Sequence, residues 1–227
     1  MRDSGCRRAA LLADGSLFAS GIRGWVRRGA RRVGLRIVLD HKIAPRATRY
    51  TRLAHRVRRA QARCVVFAGM SAPSAVRLFG DLDRALPHAG LFASSGLARR
   101  AFTDPRRGGV PAGVGRRMVI TSSVLATSGF PPAGQDFFRR YSARYGDPNP
   151  DPDAVYGYEA MRVVLDAVAA VGPRPLMMIR WLRMMPIRSG PIRTYRFDRF
   201  GDTTARSFGL YRISDGALAY AGAIQAQ

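Results

Sequence analysis

Residues 129–168 read GFPPAGQDFFRRYSARYGDPNPDPDAVYGYEAMRVVLDAV, and residues 192–213 read IRTYRFDRFGDTTARSFGLYRI. Phe137, Phe138 and Tyr141 share one face of an expected helix that closes on a tyrosine-rich turn. From Gly146 to Asp153 the chain holds three prolines, which keep it extended. A second helix is expected over about Ala154 to Val171, turning Val155, Tyr158, Met161, Leu165 and Val168 inward. A third, methionine-rich helix runs from Leu176 to Met185, where Pro186 ends it. Ile192–Phe197, Phe208–Ile213 and Leu218–Ala221 read as strands. Between the first two lies Phe-Asp-x-x-Gly-Asp, residues 197–202, a turn that Gly201 permits and whose Asp side chains cap backbone donors.

Upstream, short apolar runs alternate with amphipathic stretches from Arg7 to Ser122, as successive strand–helix units do. Ala9–Ala13, Leu35–Leu39, Cys64–Ala68, Leu91–Ala93 and Met118–Ser122 read as strands. Ser16 is placed to cap a helix in which Phe18, Ile22, Trp25, Val26, Ala30 and Val33 recur at helical spacing until Gly34 stops it. Tyr50, Leu53, Ala54, Val57 and Ala60 mark the next helix, and Val76, Phe79, Leu82 and Leu86 the one after. Asp104–Arg117, rich in Gly, Pro and Arg, reads as a flexible loop. The order is that of an α/β fold, a doubly wound and mostly parallel sheet whose ligand edge lies at the carboxyl ends of its strands.

The 227 residues suffice for one large or two modest domains, and 47% of them are hydrophobic, which excludes a disordered chain. No apolar run approaches the roughly 18 residues of a membrane helix, so no membrane insertion is expected. The opening MRDSGCRRAALLADGS has no apolar signal core, and no hydrophobic segment precedes Cys6 as a lipoprotein anchor needs. A net charge of +23 invites a nucleic-acid reading, the alternative function for this chain. Yet Lys42 is the only lysine and Glu159 the only glutamate, and arginine is spread over most expected helices rather than gathered on one. That skew fits a whole-sequence bias and a solvated arginine surface, so no nucleic-acid partner is expected. Cys6 and Cys64 begin two strands that neighbour each other in the expected sheet. A bridge fits that geometry, and two incidental small core residues fit it better.

The C-terminal stretches quoted above resemble the corresponding part of the substrate-binding proteins of branched-chain amino-acid ABC transporters, a type I periplasmic-binding fold. The resemblance extends from about Arg8 to the C-terminus and implies a two-lobed, non-catalytic binder. Its ligand would lie in the interlobe cleft, its partner would be an ABC transporter permease, its setting would be extracytoplasmic, and no cofactor is implied. The match begins at the entry to the family's second lobe. Residues 7–122 with 207–224 are then expected to form that lobe. Residues 123–206 would be an incomplete, largely helical remnant of the first, leaving apolar faces exposed and binding impaired.

The resemblance also places the ligand residues. Phe18 stands where the family commonly has a cleft-facing tyrosine, and Met70-Ser71 occupies the next cleft-facing turn. Ser94-Ser95 stands where amino-acid binders place an acid that neutralises the ligand ammonium, so a neutral or acidic ligand fits better. Asp153 falls at an aromatic cleft position, and Tyr156 lies one helical turn beyond.

Competing chemistries have bland readings. Gly69-Met70-Ser71-Ala72-Pro73 lies between strand and helix like a nucleophile elbow, but Pro73 replaces the last glycine. Its partners Asp81 or Asp83 and His88 lie too close along one helix. Gly108, Gly109, Gly113 and Gly115 precede no Gly-Lys-Ser/Thr, and His41, His55 and His88 have no metal-ligand spacing. Met177, Met178, Met184, Met185 and Trp181 read as packing. Glu159 and Asp166 are expected to pair with Arg162 or face solvent. No enzymatic activity is expected.

Overall fold

Ala9 to Ala13 carry no polar alternation. In the computed structural model, which describes residues 5–225, they lie in a strand, β1 (Arg8–Ala13), buried on both faces. The reading of the leader rests partly on residues 1–4, which lie outside the described residues. Ser16 caps α1 (Leu17–Arg32) by accepting from the Ala19 N–H at 3.1 Å. Next come β2 (Arg36–Lys42), α2 (Thr51–Arg59), β3 (Cys64–Ala68), α3 (Ala72–Ala85), β4 (Gly90–Ser94), α4 (Arg100–Thr103), α5 (Ala112–Gly115) and β5 (Met118–Ser122). Helices α6 (Pro132–Tyr145), α7 (Ala154–Val171) and α8 (Pro175–Met184) follow, then β6 (Arg188–Ser189), β7 (Thr194–Tyr195), β8 (Ser207–Ser214) and β9 (Ala217–Gln225).

The main sheet has seven strands in the order β2-β1-β3-β4-β5-β8-β9, and β1 to β5 are joined in parallel. Alternate residues feed its two faces. Leu12, Phe67, Leu91 and Ile120 face a core with Val57, Leu78, Phe79 and Leu82 of α2 and α3. Ala13 and Ala68 pack instead against Ala19 and Ile22 of α1. This is the doubly wound α/β lobe expected. Strand β2 runs to Lys42 rather than ending at Leu39, because its ladder with β1 continues to the pair Ala13↔Lys42. Asp215 and Gly216, both at positive φ, turn β8 into β9 as a two-residue hairpin requires.

The Asp104–Arg117 segment is not the flexible loop expected. Val110 and Val114, four residues apart, are buried and pull it into α5, with a 3-10 turn at Pro105–Arg107 before it. Gly109 sits so tightly that a Cβ there would lie 2.5 Å from the Phe102 carbonyl oxygen. Cys6 and Cys64 are bonded, with Cα atoms 6.1 Å apart, which corrects their reading as incidental core residues. The cause is register: Ala9 pairs with Cys64, which brings the chain entering β1 alongside the start of β3.

The chain divides into two compact units. Unit 1 runs through Ser122 and takes in Leu210–Ala221; unit 2 is Ser123–Gly209 with the residues after Ala221. Within unit 2, Leu125, Phe130, Phe137, Phe138 and Val155 form a buried cluster in which the Phe137 and Phe138 rings meet edge-on. The inward face of α7 differs from expectation. Val155, Glu159, Val163 and Ala167 are buried, whereas Tyr158, Met161 and Leu165 are exposed.

A polar interaction accompanies that rotation. Glu159, only 2% exposed, accepts from Arg188 Nε and from the Tyr195 hydroxyl at 3.0 Å, while Arg188 also reaches Asp166. The expected pairing with Arg162 or solvent is therefore corrected. Burial alone would lower the Arg188 pKa; the two carboxylates outweigh it and keep the guanidinium charged. The same burial, with the Glu159 charge, pushes the Tyr195 hydroxyl far up.

The expected strand Ile192–Phe197 shrinks to β7, paired with β6, because Gly190 must turn the chain directly over Glu159. A Cβ at Gly190 would lie 2.8 Å from Glu159 Oε1. Of the four methionines in and after α8, only Met185 is core; Met184 is 84% exposed. The Phe197–Asp202 turn is as read, with Asp198 Oδ1 accepting from the Phe200 and Asp202 N–H groups and Gly201 at φ +87°.

Two stability measurements follow. Reduction with dithiothreitol should lower the urea midpoint of the wild type by the equivalent of about 2–5 kcal/mol and leave Cys6→Ser unchanged. Arg188→Met should cost about 3–5 kcal/mol in denaturant titration, because it strands Glu159 without a counter-charge; a loss below 1 kcal/mol, the scale of a surface ion pair, would contradict the network.

Candidate ligand-binding site

In an open parallel sheet, the turns after neighbouring strands share one edge. Here β1, β3 and β4 are adjacent, so the turns at Asp14–Phe18, Gly69–Ser71 and Ser94–Gly96 lie side by side at the carboxyl edge of unit 1. Asp14 holds them. Its Oδ1 accepts from the Ser16 N–H at 3.1 Å and the Ser16 hydroxyl at 2.8 Å. Its Oδ2 accepts from the Met70 and Ser71 N–H groups at 2.7 and 3.1 Å. Burial raises the pKa of this carboxyl, and the bonds from Met70, Ser16 and Ser71 bring it below its ordinary value of 3.8.

Two glycines permit this closeness. A Cβ on Gly69 would lie 2.6 Å from Asp14 Oδ2, and one on Gly96 would collide with the Gly69 carbonyl oxygen. The Asp14 carboxylate thus lies directly against the Gly69 turn, and the Gly96 turn packs backbone against backbone on Gly69. Asp14, Gly69 and Gly96 were not singled out from the sequence as binding or positioning residues; Asp14-Gly15-Ser16 read only as a helix-starting turn. An aspartate directly after a buried strand was the available signal.

Five of the expected ligand residues converge on this edge. Phe18 is half-buried in the first turn of α1, and Met70 is 41% exposed. Ser71 Oγ lies 2.8 Å from Ser74 Oγ, and Ser74 donates to the Pro45 carbonyl, so the shared proton comes from Ser71. Ser94 is 8% exposed, with its hydroxyl unpartnered, and Ser95 follows it at the start of a 3-10 turn.

The partners weighed for a nucleophilic Ser71 are engaged or placed elsewhere. His88 precedes β4 and so belongs to the opposite end of the sheet, while Asp81 and Asp83 are held by Arg84 and Arg117.

Asp153 and Tyr156 lie in unit 2, at the start of α7. Both line a cavity of about 770 Å³ with Leu125, Val163, Phe197 and Phe208. The Tyr156 hydroxyl donates to the Ser123 carbonyl at 3.2 Å, and its ring stands edge-on to Phe130. Desolvation, only partly offset by a backbone hydrogen bond, pushes its pKa up. Desolvation, then the nearby Asp151, raises that of Asp153.

A parallel α/β sheet with hydroxyl-bearing turns side by side at its carboxyl edge has the architecture of a ligand-binding α/β lobe. The periplasmic binding protein family model matches residues 1–217, and the chain belongs to that family. Its members are non-enzymatic, extracytoplasmic solute-binding proteins.

No curated protein matches the sequence. Among solved structures, a leucine-binding protein of Thermotoga maritima is similar at 15% identity and a TM-score of 0.79, over 99% of this chain and 62% of its own. An ABC transporter substrate-binding protein of Desulfitobacterium hafniense, in complex with leucine, is similar at 18% identity and a TM-score of 0.75, over 96% and 61%. A solute-binding protein of Rhodopseudomonas palustris in complex with benzoate is similar at 15% identity and 0.68, over 99% and 61%. The chain thus spans less than two thirds of the length of these relatives. Among the described residues no helix is long and apolar enough to cross a membrane.

Asp14→Asn should destabilise unit 1 by about 1–3 kcal/mol, because an amide cannot accept from all four donors. The native Asp14 contribution is present above pH 3.8 and is lost as pH falls through its lower folded-state value. The variant should therefore lose less stability than the wild type between pH 5 and pH 2 when both are followed by circular dichroism.

Proposed function

We propose that this chain is the solute-binding component of an ABC transporter, capturing a small polar ligand, an amino acid or a related compound, and presenting it to a membrane permease. Unit 1 plays the part of the family's second lobe, and unit 2 that of the later portion of the first. Phe18, Met70, Ser71, Ser94 and Ser95 meet the ligand from unit 1. Unit 2 offers Asp153 and Tyr156 at its own cavity.

One observation carries the reading: Asp14 ties the turn after β1 to the turn after β3, and Gly96 lets the turn after β4 pack on Gly69, all at the carboxyl edge of a parallel sheet. The family match over residues 1–217 supports it, as do relatives crystallised with leucine and with benzoate.

Residues 1–227 alone bind weakly. The relatives devote more than a third of their length to segments this chain does not match, and unit 2 leaves Met161, Leu165 and Leu176 exposed. Calorimetry of the purified chain with leucine, valine, short amides and aromatic acids tests this, and the expected result is affinity weaker than micromolar for each. Micromolar binding of any of them would overturn the impairment.

A further inference from the structure

Six carboxylates belong to unit 1 among the described residues, and each already holds a donor. Asp40 pairs with Arg23 and Arg27, and Asp81 with Arg84 and the Tyr50 N–H. Asp83 pairs with Arg117, Asp104 takes Arg107 and the Arg106 N–H, and Asp215 accepts from the Ser214 hydroxyl. Asp14 is the one set among the turns of the carboxyl edge, and four donors fill its two oxygens. An ammonium group arriving at this edge would lose water and find no free counter-charge.

The surplus runs the other way. Residues 5–122 and 210–221 carry 24 arginines and one lysine against those six aspartates. Such a field raises the local concentration of anions. At the end of β4, the buried Ser94 hydroxyl has a proton to donate and nothing to receive it. Phe18 and Met70, both partly exposed at the same edge, offer apolar contact.

We propose that the carboxyl edge of unit 1 recognises a small carboxylate with an apolar body and no ammonium group, with Ser94 donating to the carboxylate. The proposal rests on the capture reading and fixes the charge of what is captured. It makes Ser94 a specificity residue, a buried hydroxyl left free to donate to an anion.

The test is a set of ¹H–¹⁵N titrations of the 227-residue protein with benzoate, benzyl alcohol and leucine, at matched millimolar concentrations and constant ionic strength. Benzoate should move the Met70, Ser71, Ser94 and Ser95 amides saturably, about tenfold more tightly than either of the others. Ser94→Ala should weaken benzoate about tenfold, the worth of one hydrogen bond to a charged group, and Ser214→Ala, on the β8–β9 turn, should not. Leucine binding as tightly as benzoate would overturn this inference and leave the capture reading standing. Equal binding of benzyl alcohol would remove the anion from it, and so would benzoate shifts confined to surface arginines. No saturable shift with any of the three would overturn both.

Discussion

Asp14 sits where β1 ends and the first turn of the carboxyl edge begins. Its carboxylate gathers donors from the turn after β1 and from the turn after β3, which are far apart in sequence and adjacent in space. A neutral side chain would leave backbone N–H groups buried without partners, each at a cost of about 1–3 kcal/mol. The bonds therefore lock the turn geometry, and the locked turns position Phe18, Met70 and Ser71. Gly96 extends the arrangement to β4 by letting its turn ride on the Gly69 carbonyl. The edge is rigid because it is crowded with satisfied polar groups, and Ser94 stands out within it because its hydroxyl is not satisfied.

Unit 2 solves a different problem with similar chemistry. Its helices have little sheet to lie on, since β6 and β7 are two residues each. A buried carboxylate sits within the apolar face of α7, between Val155 and Val163. Glu159 draws Arg188 and Tyr195 onto the helix, and Arg188 carries Asp166 with it. A buried ion pair is a poor source of net stability but a strong source of specificity, because breaking it leaves a charge stranded. The same choice leaves Met161 and Leu165 pointing outward.

The charge of the chain also takes on a structural meaning. Most carboxylates of unit 1 are consumed internally by arginines, so the excess of cations is left unpaired by acids.

The sequence by itself determined the alternation of strands and helices in residues 8–122, because buried parallel strands read as unbroken apolar runs and helices as periodic ones. Cys64–Ala68, Met118–Ser122 and Ala154–Val171 are where the pattern put them. It also placed a ligand edge at the carboxyl ends of the strands, and the family resemblance, rather than any local signal, picked out the turn residues there. Tertiary structure alone decided which side of α7 is buried, bringing Glu159 inside beside Val155 and Val163 and leaving Tyr158, Met161 and Leu165 outside, because the partners of Glu159 are distant in sequence. It alone decided the folding of residues 104–117, where Val110 and Val114 needed a core to enter, and the Cys6–Cys64 bond, which depends on strand register. Above all it decided that Asp14 is spent on the scaffold and Ser94 is not, because hydrogen-bond satisfaction is a property of neighbours brought together by folding, and no stretch of chain contains them both.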